Sequence, residues 1–142
     1  MIATSEWKPT ETNADRYEAH SESGHCVVLD ADDAHGDGPS PVEAVLMALC
    51  SCTSVDVVSI LKKKRQPITS LEVVAKGERQ ENPPRYFHHI HLMYRIGGRV
   101  SRKAAEDAVA LSKNKYCSVS AMLDGKAMIN AAIEFVDGEP LS

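Results

Sequence analysis

Hydrophobic and polar positions change period along this chain, and each change marks an element. From Met1 to Pro39 the chain is polar and rich in turn residues, with strand-like alternation only around Trp7, Tyr17 and His25-Cys26-Val27-Val28-Leu29. Short strands are predicted there, and the acidic, glycine-containing stretch from Asp30 to Pro39 is predicted as a loop. The pattern then changes. Ser40 to Arg65, SPVEAVLMALCSCTSVDVVSILKKKR, is apolar or small at almost every position before its basic end. Ser40 and Glu43 form a capping box, with Pro41 at the first helical position, where its missing N–H costs nothing. Lys62, Lys63, Lys64 and Arg65 complement the negative end of a helix dipole, and Pro67 forbids continuation. A helix over 40–65 is therefore predicted, just under 40 Å long at about 1.5 Å per residue. Having no wet face, it should be covered on most of its circumference. Ser51, Cys52, Thr53, Ser54 and Asp56 interrupt it too often for a membrane span.

Alternation returns after Pro67. Ile68 to Arg79 and Arg85 to Ile96 read as two strands joined by Gln80-Glu81-Asn82-Pro83-Pro84, a hairpin over 68–97. On its second arm Ile90, Leu92, Tyr94 and Ile96 share an apolar face, which puts Phe87, His89, His91, Met93 and Arg95 on the other. After Gly97-Gly98, Ser101 caps a second helix, 101–114, with a stripe of small residues at Ala104, Ala105, Ala108 and Ser112 beside Val109 and Leu111. Ser118 to Leu123 reads as one short helix stopped by Asp124-Gly125, and Ala127 to Val136 as a last strand with Ile129, Ile133 and Phe135 on one side. No repeat or linker divides the sequence. Residues 1–142 are read as a single α+β domain with mainly antiparallel strands.

Charge narrows the function classes. A net charge of -4 and a pI near 5.8 argue against nucleic-acid binding, which needs a concentrated basic surface. No N-terminal apolar stretch resembles a signal peptide, so a cytoplasmic location is expected, where thiols stay reduced. The four cysteines then need a reason. Cys50 and Cys52 lie about 200° apart around a helix and cannot share a metal ion. His89 and His91 lie on one strand face beside His88, but no third ligand is signalled, so no metal and no other cofactor is expected. Cys26, in a strand pattern, reads as a small core residue. Cys117 precedes Ser118-Val119-Ser120, where free N–H groups and the helix dipole favour a thiolate. Cys52 lies mid-helix, with Asp56 about 40° from it one turn on and Ser59 on the same side. This polar stripe has two readings: a reactive thiol, or a buried one beside a carboxylate satisfied by a backbone donor.

Together, the long helix, KYCSVSAML and the strand YFHHIHLMYRIGG make the chain resemble the OsmC/Ohr family, the osmotically inducible protein C and organic hydroperoxide resistance proteins, in its YhfA-like branch. The resemblance runs from about Trp7 to Val136. It implies an OsmC-like α+β fold, an intertwined homodimer with long central helices, and sites at the dimer interface. It also implies thiol-dependent peroxidase chemistry on organic or hydrogen peroxides, reset by a dithiol reductant, with no nucleic acid or membrane partner. By motif, Cys52 takes the peroxide-attacking position and Cys117 the resolving one, which matches the passage from thiolate to sulfenic acid to disulfide.

The sequence also departs from the family pattern. Where the peroxidases carry a glutamate directly after the proline, this chain has Val42, and Glu43, nine positions before Cys52, falls about 180° round the helix from it. No arginine occupies the family's glycine-rich setting; Arg16, His20 and His25 are the nearby polar candidates. Asp56 cannot replace arginine, because a carboxylate opposes a neighbouring thiolate. Two other readings therefore stand beside the peroxidase: a non-catalytic dimer binding a small apolar ligand in the interfacial pocket, and a thiol redox sensor.

Overall fold

A computed structural model describes residues 1–138 and 140. Two compact units make up the chain, residues 1–45 and the remainder from Leu46. In the first, β1 (Ala3–Trp7), β2 (Arg16–Ser21) and β3 (Cys26–Asp30) form an antiparallel sheet in the order β1-β2-β3. The three strands fall where the alternation around Trp7, Tyr17 and Val27 placed them. The buried residues of this unit are polar, Asn13 and Asp30. Cys26 corrects the sequence reading: it is exposed, not a core residue. It opens β3 opposite His20, on a sheet that buries no apolar side chain.

Asp30 organises the loop that leads to the long helix. Its carboxylate accepts from Asn13 Nδ2 at 2.9 Å, the Asp37 amide at 3.0 Å and the Asp32 amide at 2.8 Å. The Asp37 amide is the main reason its carboxyl sits below the ordinary range. Such a group stabilises the fold above the unfolded carboxyl pKa of about 3.9, and that stability is lost as pH falls through the lowered folded value. Trp7, the only tryptophan, lies in this sheet and reports on it. Asp30→Asn is expected to unfold more easily at pH 7 by Trp7 fluorescence and to lose less stability than wild type between about pH 4 and pH 2; parallel acid limbs would refute this.

The long helix α1 spans Pro41–Lys63. Its capping box is closed, with Glu43 N donating to Ser40 Oγ at 3.1 Å and Ser40 N donating to Glu43 Oε2 at 3.2 Å. Leu49, Thr53, Val57 and Leu61 are its buried positions, four residues apart and so on one stripe. The expected cover on most sides is not supplied by the described residues: Met47 is 54% and Val55 70% exposed.

The second unit also holds β4 (Ile68–Arg79) and β5 (Phe87–Gly98), an antiparallel hairpin, and β6 (Met128–Phe135), which runs parallel to β5 in the order β4-β5-β6. A parallel neighbour requires a long crossover. Here it is made by α2 (Arg102–Leu111), a π-helical turn (Ser112–Tyr116) and α3 (Ser118–Leu123). Ser101 Oγ caps α2 by accepting from Ala104 N at 3.2 Å, as its position predicts. Ile90, Leu92, Tyr94 and Ile96 are buried, but Phe87 is buried with them and not on the opposite face. The cause is a β-bulge: Glu78 pairs with His89 while Arg79 pairs with Phe87, so His88 is an extra residue and the parity reverses there. Gly77 leaves room for the inward ring, since a Cβ would stand 2.4 Å from Phe87 Cε1.

Candidate functional site

Four side chains from three elements meet in one hydrogen-bonded chain. Thr53 and Asp56 come from α1, Tyr94 from β5, and Ser112 from the start of the π-helical turn. Ser112 Oγ donates to Asp56 Oδ2 at 2.9 Å. Each hydroxyl has a single proton, so Thr53 Oγ1 must donate to Ser112 Oγ, 2.7 Å away. Tyr94 O–H in turn donates to Thr53 Oγ1 at 2.7 Å. The carboxylate, an acceptor only, sets the direction of the whole series. Burial pushes the Tyr94 phenol up to about 12, against a smaller opposing effect of Thr53, so Tyr94 keeps the proton this arrangement requires.

The cysteines lie next to this chain through Ser112. The Cys117 amide donates to the Ser112 carbonyl at 2.8 Å, closing the π-helical turn, and Cys117 then caps α3, its Sγ accepting from Ser120 N at 3.4 Å. Both thiols are free, and Cys52 is close enough to Cys117 to be among the groups that raise its pKa. Cys52 is half-buried and Cys117 buried, with 3% of its surface exposed. The expected thiolate at Cys117 is corrected by this burial, which raises its pKa and outweighs the Ser120 amide; Cys52 raises it further.

The other sequence candidates have local commitments. Asp56 is held by Ser112. Arg16 pairs with Glu18 at 2.7 Å, and His25 Nδ1 lies 3.1 Å from Ser23 Oγ in an exposed turn. Val42 is half-buried in the first turn of α1, Glu43 is used by the cap, and Ser59 is exposed. Cys50 is half-buried, its thiol pushed up chiefly by that burial. Sequence reasoning missed Thr53, Ser112 and Tyr94 as partners. A usable signal was present at Thr53, a hydroxyl four residues from both Leu49 and Val57 in the buried stripe, because a buried hydroxyl must find a partner.

Residues 34–131 match the family model described as OsmC-like protein. The chain belongs to the OsmC family. It is 46% identical over 118 residues to Protein YhfA of Escherichia coli K12, covering 82% of this chain and 87% of that protein. The solved OsmC-like protein of Mycoplasma pneumoniae superposes with a TM-score of 0.78 at 24% identity, over 95% of this chain and 96% of that one. The organic hydroperoxide resistance protein OhrB of Bacillus subtilis has the same fold, with a TM-score of 0.62 at 14% identity over 94% and 98%. The resemblance carried by the two cysteine motifs is thereby established, as is the OsmC-like α+β fold. By length and a mean hydropathy of 2.0, α1 could cross a membrane. In this OsmC-like chain, Thr53 at its middle is instead hydrogen-bonded to β5 and the π-helical turn.

Removing the central link of the hydroxyl chain tests its value. Thr53→Val keeps the shape but leaves Tyr94 O–H without its acceptor and Ser112 without its donor, a loss of about 1–3 kcal/mol. Urea unfolding should show that decrease, with Tyr94→Phe costing less because it removes the donor outright; an unchanged midpoint for Thr53→Val would count against the directional chain.

Proposed function

We propose that this OsmC-family protein is a thiol-dependent peroxidase of the cytoplasm, using Cys52 and Cys117. The observation that carries the reading is that the fold brings near each other two thiols sixty-five positions apart in sequence, one on α1 and one capping α3, close enough for Cys52 to raise the Cys117 pKa. The Cys52 thiolate attacks the outer oxygen of an organic or hydrogen peroxide and the O–O bond breaks. Cys52 becomes a sulfenic acid, and the departing alkoxide or hydroxide takes a proton. Cys117 then attacks that sulfur as thiolate, the sulfenic hydroxyl leaves as water, and a disulfide forms. A dithiol reductant returns both thiols by exchange. Ser112 supports resolution by holding the Cys117 backbone to the turn that faces α1.

The test is to react the reduced protein with cumene hydroperoxide and follow free thiols and intact mass. A Cys52–Cys117 disulfide and peroxide loss that falls to background in Cys52→Ser are expected. Disulfide formation without turnover in excess dithiol would point to a sensor, and no disulfide would end the proposal. Because burial keeps Cys117 protonated to a higher pH than an ordinary thiol, resolution should quicken on going from neutral to alkaline buffer. Dimedone trapping of the Cys52 sulfenic acid should therefore decline over the same range.

A homodimer is part of the reading. Met47 and Val55 on α1, Ile2 just before β1, and Trp7 and Val27 on the first sheet are all more than half exposed; one chain leaves these apolar side chains to water, and a second copy would cover them. Light scattering at micromolar concentration should give twice the 15.5 kDa chain mass. Val55→Glu should shift it toward monomer. A monomeric wild type would refute the assembly and leave the thiol chemistry to be judged by the peroxide experiment.

A further inference from the structure

The outward face of the second sheet carries a group of ligand atoms that the thiol chemistry does not use. Glu78 lies on β4, directly across the ladder from His89 on β5, and His91 follows two residues later on the same face. Glu78 Oε2 is 3.1 Å from His91 Nε2 and 3.5 Å from His89 Nδ1. One ligand atom from each of the three residues lies within 4.8 Å of the other two. A tetrahedral ion with bonds of about 2.0–2.1 Å requires ligand atoms about 3.3 Å apart, so the two distances from Glu78 match a coordination edge. The imidazoles are held side by side, with ring centroids 3.9 Å apart.

The protons strengthen the case. His89 Nε2 is hydrogen-bonded to Asn130 Oδ1 on β6. In the tautomer that donates from Nε2 to this carbonyl oxygen, Nδ1 is left as a lone pair on the side of the Glu78 carboxylate. At 3.5 Å that edge is closed either by a proton on Nδ1 or by a metal ion seated between the two atoms. That tautomer is also the outer-shell arrangement of metal-bound histidine, in which the distal N–H is fixed by an oxygen acceptor.

We propose that Glu78, His89 and His91 form a binding site for a divalent transition-metal ion of the zinc class, oriented by Asn130. Two imidazoles and one carboxylate suit Zn2+, Co2+ or Ni2+ over Mg2+ or Ca2+. On binding, His91 carries its proton on Nδ1 and presents Nε2 to the ion. Three protein ligands leave at least one position to water. The site is separate from the thiols, because His89 and His91 face away from Tyr94 on β5. A second trio, Glu18, His20 and Cys26, has no such opening, since Glu18 Oε2 is held by Arg16 at 2.7 Å.

The test is a Co2+ titration of untagged, chelator-treated protein, read by its visible absorption and repeated by calorimetry with Zn2+. One ion per chain is expected, with the weak visible bands of nitrogen and oxygen ligands and no strong thiolate charge-transfer band. Binding should survive in Cys52→Ser and vanish in Glu78→Gln and His91→Ala, both with wild-type circular dichroism. Asn130→Ala, which leaves all three ligands in place, should bind about 10–100-fold more weakly. Absence of binding at sub-millimolar metal, or binding that follows Cys52 and ignores His91, overturns the proposal.

Discussion

The second unit depends on how Ser112 is satisfied. Its hydroxyl donates to Asp56 on α1 and accepts from Thr53, while its carbonyl takes the Cys117 amide. One residue thus fixes both the side-chain chain from β5 and the backbone that delivers the second thiol. The π-helical turn makes this possible. An α-helical continuation of α2 would send the amide four residues on to this carbonyl; the wider turn brings Cys117 N there instead, five residues on, and ends in the extended residue that caps α3. Burial makes each link costly to leave open, and the only acceptor without a proton, Asp56, gives the links their order.

Much of the architecture is legible in local signals. The capping box at Ser40 and Glu43, the cap at Ser101 and the stop at Asp124-Gly125 each depend on residues within one or two turns of each other, so their meaning does not wait for the fold. Phe87 and Cys26 show where such signals end. The inward turn of Phe87 follows from an extra residue at His88, which reverses the alternation at that point of β5, and from the missing side chain at Gly77, which lies on another strand and is not seen along β5 alone. Cys26 lies in a run with the right period for a strand, yet period says nothing about whether a sheet has a partner to bury against.

The candidate site was legible in its thiols and not in their surroundings. Cys52 and Cys117 stand out by motif, but whether Cys117 is a thiolate depends on a competition between its place at a helix start and its burial, and burial wins. Asp56 stood out as a carboxylate one turn from Cys52. Its partner, Ser112, is fifty-six residues away in sequence, where it looks like one more small residue of a packing stripe.

Strand β5 shows how one register can carry two separate chemistries. Tyr94 faces the core and closes the hydroxyl chain with Thr53, while His89 and His91 face outward to Glu78 and Asn130. The carboxylate that joins the two histidines comes from across the ladder, where neighbouring strands place opposite side chains within about 5 Å, so a reading along β5 alone does not reach it. The bulge at His88 matters to both faces. It lets Phe87 turn inward to fill the space over Gly77 while the pairing of Glu78 with His89 is kept. The irregularity therefore seals the end of the core without disturbing the outward trio.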